Sequence, residues 1–132
     1  MSRPRQTVSS GSTYEPRIGF SRAVRVGGVV AVAGTAPIGP DGNTVGHGDV
    51  YQQTVRCLDI IQDAVEQTGL TLDNVVRTRI MLTDLSHWEE AARAHGDRFT
   101  DIRPAATFVQ VAGFLDPSWL VEIEADAIAG PD

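Results

Sequence analysis

Lysine is absent from this 132-residue chain, and all 11 of its basic residues are arginine. Without a lysine amine, catalysis through a side-chain Schiff base is excluded. The single cysteine, Cys57, cannot form an internal disulfide, as is typical of proteins from a reducing compartment. We therefore expect a cytoplasmic protein whose chemistry depends on neither of these groups.

Long hydrophobic runs and basic clusters are also missing. No apolar run approaches the length of a membrane span, and the N-terminus lacks the apolar segment of a signal peptide, so we expect no membrane association. The net charge is −6 at pH 7. Nucleic-acid binding usually requires a positive patch, so we expect no nucleic-acid partner.

The order of the chain predicts one domain behind a short tail. Residues 1–13 are small and polar and predict a flexible tail, and residues 14–132 suit a single compact domain. Within it, two β-branched runs around the Gly-Gly pair at 27–28 predict a β-hairpin, because glycine reaches positive φ without strain. Helical spacing then begins after Asp49, the expected N-cap, and Gly69 is the expected C-terminal cap.

The second half of the domain alternates between strand and helix patterns. A period of two predicts a strand near 75–82, and "SHWEEAARAHGDRF" predicts a helix capped by Ser86. The residues expected to face inward from that helix are Trp88, Ala91, Ala92, His95 and Phe99. Two strands, near 106–111 and 120–128, complete the chain. This order predicts an α+β fold, a mixed sheet with two helices packed on one face.

One face of the predicted sheet carries charges. In one strand arginines alternate with Val76, Thr78 and Ile80, and in the last strand acids alternate with apolar residues. The charged residues are Arg77, Arg79, Glu122, Glu124 and Asp126. A single-layer sheet rarely leaves so long a face merely solvated. Several copies that pack these faces together would explain the pattern, so we expect a homo-oligomer.

Several segments resemble, in order, the signature of the RidA (YjgF) family of small trimeric proteins. They are "IGFSRAV", "AGT", "LDNVVRTRIMLTDL", "DIRPAATFVQVAG" and the "EIEA" of the last strand. The likeness extends over residues 16–128. It implies a chorismate-mutase-like fold and a homotrimer with a central barrel. It also implies small-molecule clefts between the subunits.

The activity best known for that family is the hydrolysis of reactive enamines and imines to ketoacids and ammonia. In the family an arginine binds the substrate carboxylate, a glycine amide assists, and a glutamate positions or activates water. By position, Glu122 matches the catalytic glutamate and Gly34 matches the glycine. Ala106 stands where the arginine is usual, and Phe20 stands where a tyrosine is usual. The resemblance implies no cofactor.

The alanine at position 106 changes what the site can bind. A charge-assisted pair between arginine and carboxylate contributes about 1.5–3 kcal/mol, so ordinary amino-acid imines should bind poorly here. Arg103 could supply the missing cation, although a surface or inter-subunit ion pair is its alternative role. Arg22 shares the face of Phe20 and is a second replacement. Two arginines are weaker candidates: Arg17 and Arg79.

Aromatic residues suggest an apolar lining for the cleft. Phe20, Trp88 and Phe108 are the candidates, and each has simple packing as its alternative role. Thr107 completes the predicted substrate-binding set. For Glu122 the alternative is a structural ion pair with an arginine of the neighbouring strand.

Histidines and the cysteine do not predict a metal site. His87 and His95 are eight residues apart, about 12 Å along a helix, so they cannot share one metal ion. His47 lies in a Gly-rich loop near a possible cleft mouth and has no evident partner. Cys57 falls on the apolar face of its helix and is expected to be inert.

Three functions remain open from the sequence. The first is a RidA-like hydrolase of an enamine, imine or related metabolite, with a substrate altered by Ala106. The second is a trimer that binds a metabolite without catalysis. The third is a specialised pathway deaminase of the aminomuconate type. An older family description, endoribonuclease or translation inhibitor, has little support from so acidic a chain.

Overall fold

A computed structural model describes residues 4–130, which form one six-stranded sheet and three α-helices. The strands are β1 Arg5–Val8, β2 Ala23–Val26, β3 Val29–Thr35, β4 Val75–Leu82, β5 Ala105–Gln110 and β6 Val121–Ile128. The helices are α1 Tyr14–Ile18, α2 Val50–Gln67 and α3 Trp88–Phe99. Two short 3-10 helices, Leu72–Asn74 and Leu85–His87, precede β4 and α3.

The sheet is mixed, with the order β1-β2-β3-β6-β4-β5. Only β4 and β5 run parallel among these neighbours, and α3 provides the crossover between them. The helices α2 and α3 contact each other and cover one face of the sheet. This arrangement confirms the predicted α+β fold.

The core lies between those two helices and the covered face. Its largest members are fully buried: Leu58 and Ile61 of α2, Phe99 of α3, Ile80 of β4 and Ile123 of β6. Burial of each such side chain contributes about 1.5–3 kcal/mol. None of the helices within residues 4–130 has the length and hydrophobicity that a membrane crossing requires.

Several local predictions are confirmed. A two-residue loop at 27–28 joins β2 to β3, and Gly27 has a φ of 59°. The Asp49 carboxylate accepts a hydrogen bond from the backbone N–H of Gln52, which caps α2 as expected. Gly69 follows the helix with a φ of 93°, the left-handed conformation that glycine adopts without strain.

The tail prediction is wrong for residues 5–8. They form β1, which pairs antiparallel with β2 along the edge of the sheet. Only Val8 of this strand is buried, so its polar sequence carried no alternating signal. The free backbone groups of an edge strand can recruit such a segment without apolar residues. Residues 1–3 of the predicted tail lie outside the described residues.

The predicted cap of α3 is also wrong. Ser86 lies inside the 3-10 helix, where its backbone N–H donates to the Asp84 carboxylate at 2.9 Å. The α-helix therefore begins two residues later, at Trp88. The Trp88 side chain is 50% exposed rather than inward, and Ala94 joins Ala91 on the buried face.

Val76 departs from the predicted alternation of its strand. The pairing of β4 with β6 shifts register between Val75 and Arg77, so Val76 occupies a bulge. Its side chain is 43% exposed instead of packed beneath the helices. A bulge inserts one unpaired residue, and a sequence pattern with a strict period of two cannot reveal it.

The uncovered face of the sheet combines ion pairs with apolar residues. Arg77 pairs with Asp126 and Arg79 pairs with Glu124 across β4 and β6. All four side chains are substantially exposed, and such pairs contribute about 0–1 kcal/mol in water. Exposed apolar residues of β3 and β6 lie opposite each other at Val29 and Ile128. Weak pairs beside exposed aliphatics are more typical of an interface than of a solvated surface.

We expect light scattering at micromolar concentration to give three times the monomer mass of 14.2 kDa. Val29→Asp should shift the assembly toward smaller species, because a carboxylate at an apolar contact loses its solvation. A mass of 14.2 kDa for the unmodified chain would contradict an interface on this face.

Candidate functional site

Among the three acidic residues of β6, Glu122 is the one that forms no ion pair with an arginine of β4. The β4–β6 register places it opposite Met81, whereas the two sheet arginines pair with the other two acids of the row. The neighbours Val121 and Ile123 point into the core, so the Glu122 side chain points to the uncovered face. The expected alternative, an ion pair with Arg77 or Arg79, is therefore not formed.

A small pocket of about 70 Å³ surrounds this carboxylate. Phe20, Arg22, Gly34 and Trp119 contribute to its walls together with Glu122. These residues come from the turn after α1, from β3 and from the start of β6, so only the folded sheet brings them together. Four residues predicted for the site, Glu122 included, thus lie around one pocket.

Gly34 provides the space that the Glu122 side chain occupies. The β3–β6 pairing shifts register between Val32 and Thr35, which places Gly34 in an irregular part of the strand. A Cβ at this position would lie 3.0 Å from Oε1 of Glu122. An alanine here would shift the carboxylate by a few tenths of an ångström, so glycine permits the close approach.

Burial raises the pKa of the Glu122 carboxyl. The positive charge of Arg22 opposes this shift, and the negative charge of Glu124 adds to it. A carboxyl with a raised pKa can both accept and return a proton nearer to neutral pH than an ordinary glutamate can.

Arg22 supports the pocket but has little capacity left to grip a substrate. Its side chain is 4% exposed. Nε donates to Ser10 Oγ at 3.1 Å, and Nη1 donates to the carbonyl of Gly34 at 2.7 Å and to Thr35 Oγ1 at 3.2 Å. Nη2 lies 3.8 Å from the Glu15 carboxylate. This arginine therefore fixes the Gly34 segment and supplies positive potential beside Glu122.

The other predicted site residues lie elsewhere on the same chain. They are Trp88, Arg103, Ala106, Thr107 and Phe108, at the start of α3 and along β5. Ala106 pairs with Thr78, whose hydroxyl contacts His95 of α3 at 2.8 Å. Ala106 thus points to the helix-covered face, opposite to Glu122. One chain cannot direct both residues to a single ligand.

Three residues of this group, at the end of α3 and along β5, have surroundings that explain their positions. Arg103 is exposed and has a φ of 58° in the loop that ends α3. The Phe108 ring packs edge-on against His95, with ring centroids 6.3 Å apart, as its alternative role in packing predicted. Thr107 is exposed on the edge strand.

A larger cavity of about 820 Å³ lies next to the Glu122 pocket and was missed by sequence reasoning. Its walls come from residues 10–14, residues 36–47, α2 and residues 116–119. These segments are distant in sequence, and only the Gly-rich loop at 38–48 hinted at an opening. His47 lines this cavity, as does Asp116, whose pKa is lowered mainly by hydrogen bonds from the side chain and backbone of Ser118.

Metal ligands do not cluster in the part of the chain that the structure describes. No group of three His, Cys, Asp or Glu side chains lies within reach of one ion among residues 4–130. Cys57 is fully buried on α2, and burial raises the pKa of its thiol well above the usual range.

Comparison with known proteins extends over nearly the whole chain. A family model described as Endoribonuclease L-PSP matches residues 11–129. "Uncharacterized protein SCO2049" of Streptomyces coelicolor is 38% identical over 93% of this chain and 91% of its own. A RutC family protein of Pyrococcus abyssi is 32% identical over 82% of this chain and 84% of its own.

Solved structures give the same result. Rv2704 of Mycobacterium tuberculosis, described as a member of the YjgF/YER057c/UK114 family, superimposes with a TM-score of 0.86. It is 45% identical, and the match covers 96% of this chain and all of Rv2704. The YjgF gene product of E. coli is 27% identical with a TM-score of 0.76, over 83% of this chain and 87% of its own.

Gly34→Ala should displace the Glu122 carboxylate, because the added Cβ lies 3.0 Å from Oε1. We expect the chain to stay folded and any activity that depends on Glu122 to fall at least tenfold. Gly113→Ala is the matched control, since a Cβ there meets nothing within 4 Å. Equal activity in the two variants would contradict the tight approach.

Glu122→Gln should leave the melting temperature unchanged or raise it at pH 7. The folded pKa of Glu122 is raised above 4.5, so this group's contribution to stability is full below pH 4.5 and is lost as pH rises through the folded pKa. Glutamine removes the buried charge, so any increase in melting temperature over the unmodified protein should disappear below pH 4.5. Glu124→Gln, which breaks an exposed pair, should show no gain. A strongly lowered melting temperature in Glu122→Gln would show instead that Glu122 stabilises the fold.

Proposed function

Because the chain belongs to the endoribonuclease L-PSP (YjgF/RutC) family, we propose that it hydrolyses an enamine, an imine or a related reactive metabolite. The membership confirms the resemblance read from the sequence. One observation supports the proposal. Glu122 is the acidic residue of β6 that forms no ion pair with an arginine of β4, and burial in its pocket raises its pKa.

The proposed reaction uses Glu122 to move protons. The carboxylate accepts a proton from water while the water oxygen bonds to the carbon of the C=N group. The electron pair of that double bond goes to nitrogen, which takes up the proton. Glu122 then passes the hydroxyl proton of the adduct to the nitrogen, the C–N bond breaks with its electron pair going to nitrogen, and ammonia leaves as the carbonyl forms. A group with a raised pKa suits both transfers.

We propose that the complete cleft forms between subunits of a homotrimer. Glu122 and Ala106 point to opposite faces of their own sheet, so a ligand that meets both needs a second copy. The neighbouring subunit would then contribute the β5 group of Ala106, Thr107 and Phe108, with Trp88 and Arg103 nearby. The ion-paired face described above supports such an assembly.

Substrate choice should differ from that of arginine-bearing members of the family. Ala106 offers neither charge nor donor to a carboxylate, and Phe20 offers an aromatic surface. Arg22 has already committed its donors to the backbone and to Ser10. The pocket therefore favours a substrate that is larger or less dependent on a carboxylate beside the reacting carbon, such as that of an aminomuconate-type deaminase.

A metabolite-binding trimer without catalysis is the second candidate. The observation that favours it is Ala106, since loss of the anchoring arginine removes a means of positioning substrate. Ribonuclease activity is disfavoured, because a chain with a net charge of −6 lacks the positive surface that binds a phosphate backbone.

Glu122→Gln should abolish hydrolysis of the true substrate while the trimer stays folded, because glutamine cannot accept the proton. We expect a loss of at least 100-fold in kcat/KM, the lower range for a general acid–base group. In the unmodified protein, kcat/KM should fall as pH drops through the raised pKa of Glu122. The measurement is ammonia release from freshly generated imines, with Glu124→Gln as the control. Unchanged turnover in Glu122→Gln would support the binding function.

Imines of small amino acids should be hydrolysed slowly by the unmodified protein. Ala106→Arg should increase kcat/KM for these imines at least tenfold, because one bidentate carboxylate pair contributes about 1.5–3 kcal/mol. Ala105→Arg, one residue away and pointing to the other face, is the matched control. Rapid hydrolysis by the unmodified chain would show that another cation already holds the carboxylate.

A further inference from the structure

The polar cavity beside the Glu122 pocket is not used by the reaction described above. It shares Arg22, Ile38 and Trp119 with that pocket, so the two spaces are adjacent. Its volume of about 820 Å³ is more than ten times that of the pocket, at about 70 Å³. The cavity is thus the larger of the two adjacent spaces.

Arg22 and Arg56 both line this cavity, and Arg22 is already engaged in hydrogen bonds, which leaves Arg56 of α2 as the candidate cation. Its Nε donates a hydrogen bond of 2.7 Å to the carbonyl of Ile38, which holds the guanidinium in place. Within residues 4–130, the two terminal nitrogens of Arg56 join no hydrogen bond and no ion pair. An arginine fixed through Nε with both terminal nitrogens open has the geometry for bidentate binding of a carboxylate.

The aspartates that line the same cavity are engaged within their own loops. Asp41 accepts hydrogen bonds from the backbone N–H of Asn43 at 3.0 Å and from its amide at 3.1 Å. Asp116 accepts from the backbone N–H of Ser118 at 2.8 Å and from its hydroxyl at 2.7 Å. Neither aspartate lies within ion-pair distance of Arg56, so the positive charge of Arg56 is available to a ligand.

The cavity walls are held by a buried side chain. Gln53, which is fully buried, donates to the carbonyls of Gly46 at 3.2 Å and Ser118 at 3.0 Å. Its side-chain oxygen accepts from the backbone N–H of Leu120 at 2.8 Å. Thr44 and Ser118 share a further hydrogen bond of 2.7 Å between the two loops. A preformed wall reduces the entropy that ligand binding must remove.

We propose that Arg56 binds a carboxylate of the substrate from inside this cavity, in place of the arginine that is absent at position 106. The inference rests on the proposed function and narrows its substrate class. Arg56 lines the cavity and not the Glu122 pocket, so the carboxylate would lie several bonds from the reacting carbon. The substrate is then an enamine or imine with a distal carboxylate.

The test measures binding without turnover, by NMR titration of the full chain with glutarate, a small dicarboxylate. We expect saturable shifts among residues 36–47 and at Arg56, with an affinity that falls about tenfold or more in Arg56→Gln. Arg93→Gln is the matched control, because it removes the same charge from an exposed arginine that stacks on Tyr51 outside the cavity. Equal affinities in the two variants, or shifts confined to β5, would overturn the proposal.

A second variant keeps the test decisive if Arg56→Gln unfolds the loop. Arg56→Lys retains the charge but lacks the bidentate fork, so glutarate affinity should fall several-fold. Unchanged affinity in a folded Arg56→Lys would contradict bidentate binding. This test is separate from that of the proposed function, because Arg56-dependent binding can stand while Glu122 proves non-catalytic. Conversely, Glu122-dependent hydrolysis with glutarate binding indifferent to Arg56 would overturn only the present inference.

Discussion

The register between β4 and β6 governs the chemistry of this protein. It sets two acids of β6 opposite two arginines of β4 and sets the third, Glu122, opposite Met81. A shift by two residues would give Glu122 a cation and lower its pKa. In the observed register, burial dominates and the pKa is raised. The same pairing that stabilises the sheet therefore decides which carboxylate has a raised pKa.

The irregular pairing of β3 acts together with that register. At Gly34 the strand departs from regular alignment, and the absent side chain leaves room for the Glu122 carboxylate. Arg22 then bonds to the Gly34 carbonyl and holds this segment in place. Glycine thus gives the carboxylate space, and the Arg22 hydrogen bond fixes the backbone beside it.

The family match and the structure support different parts of the functional argument. The match gives the family and the fold, whereas the contacts show what surrounds Glu122 and which arginines are already bonded. Arg22 is committed to structure, and Arg56 faces a large polar cavity with its terminal nitrogens open within the described chain. On the proposal above, the substrate is anchored from α2 instead of from β5.

The sequence was sufficient for the fold class, the hairpin at 27–28, the α2 cap at Asp49 and the charged face. Each of these rests on a local signal: a turn residue, a capping side chain or a periodic pattern. The alternation of β6 also showed that Glu122 faces away from the core. Its partnership with Phe20 and Gly34 followed from the family resemblance rather than from any local signal.

Tertiary structure alone decided the rest. The edge strand β1 has a single buried residue, and the Val76 bulge interrupts a pattern that looked continuous. The role of Arg22 and the polar cavity depend on contacts between segments far apart in sequence. Long-range register and hydrogen bonding between loops leave no periodic trace, because each contact is made by one residue from each segment. Local spacing could therefore show that Glu122 faces away from the core and the resemblance could single it out, while only the folded chain could show what surrounds it.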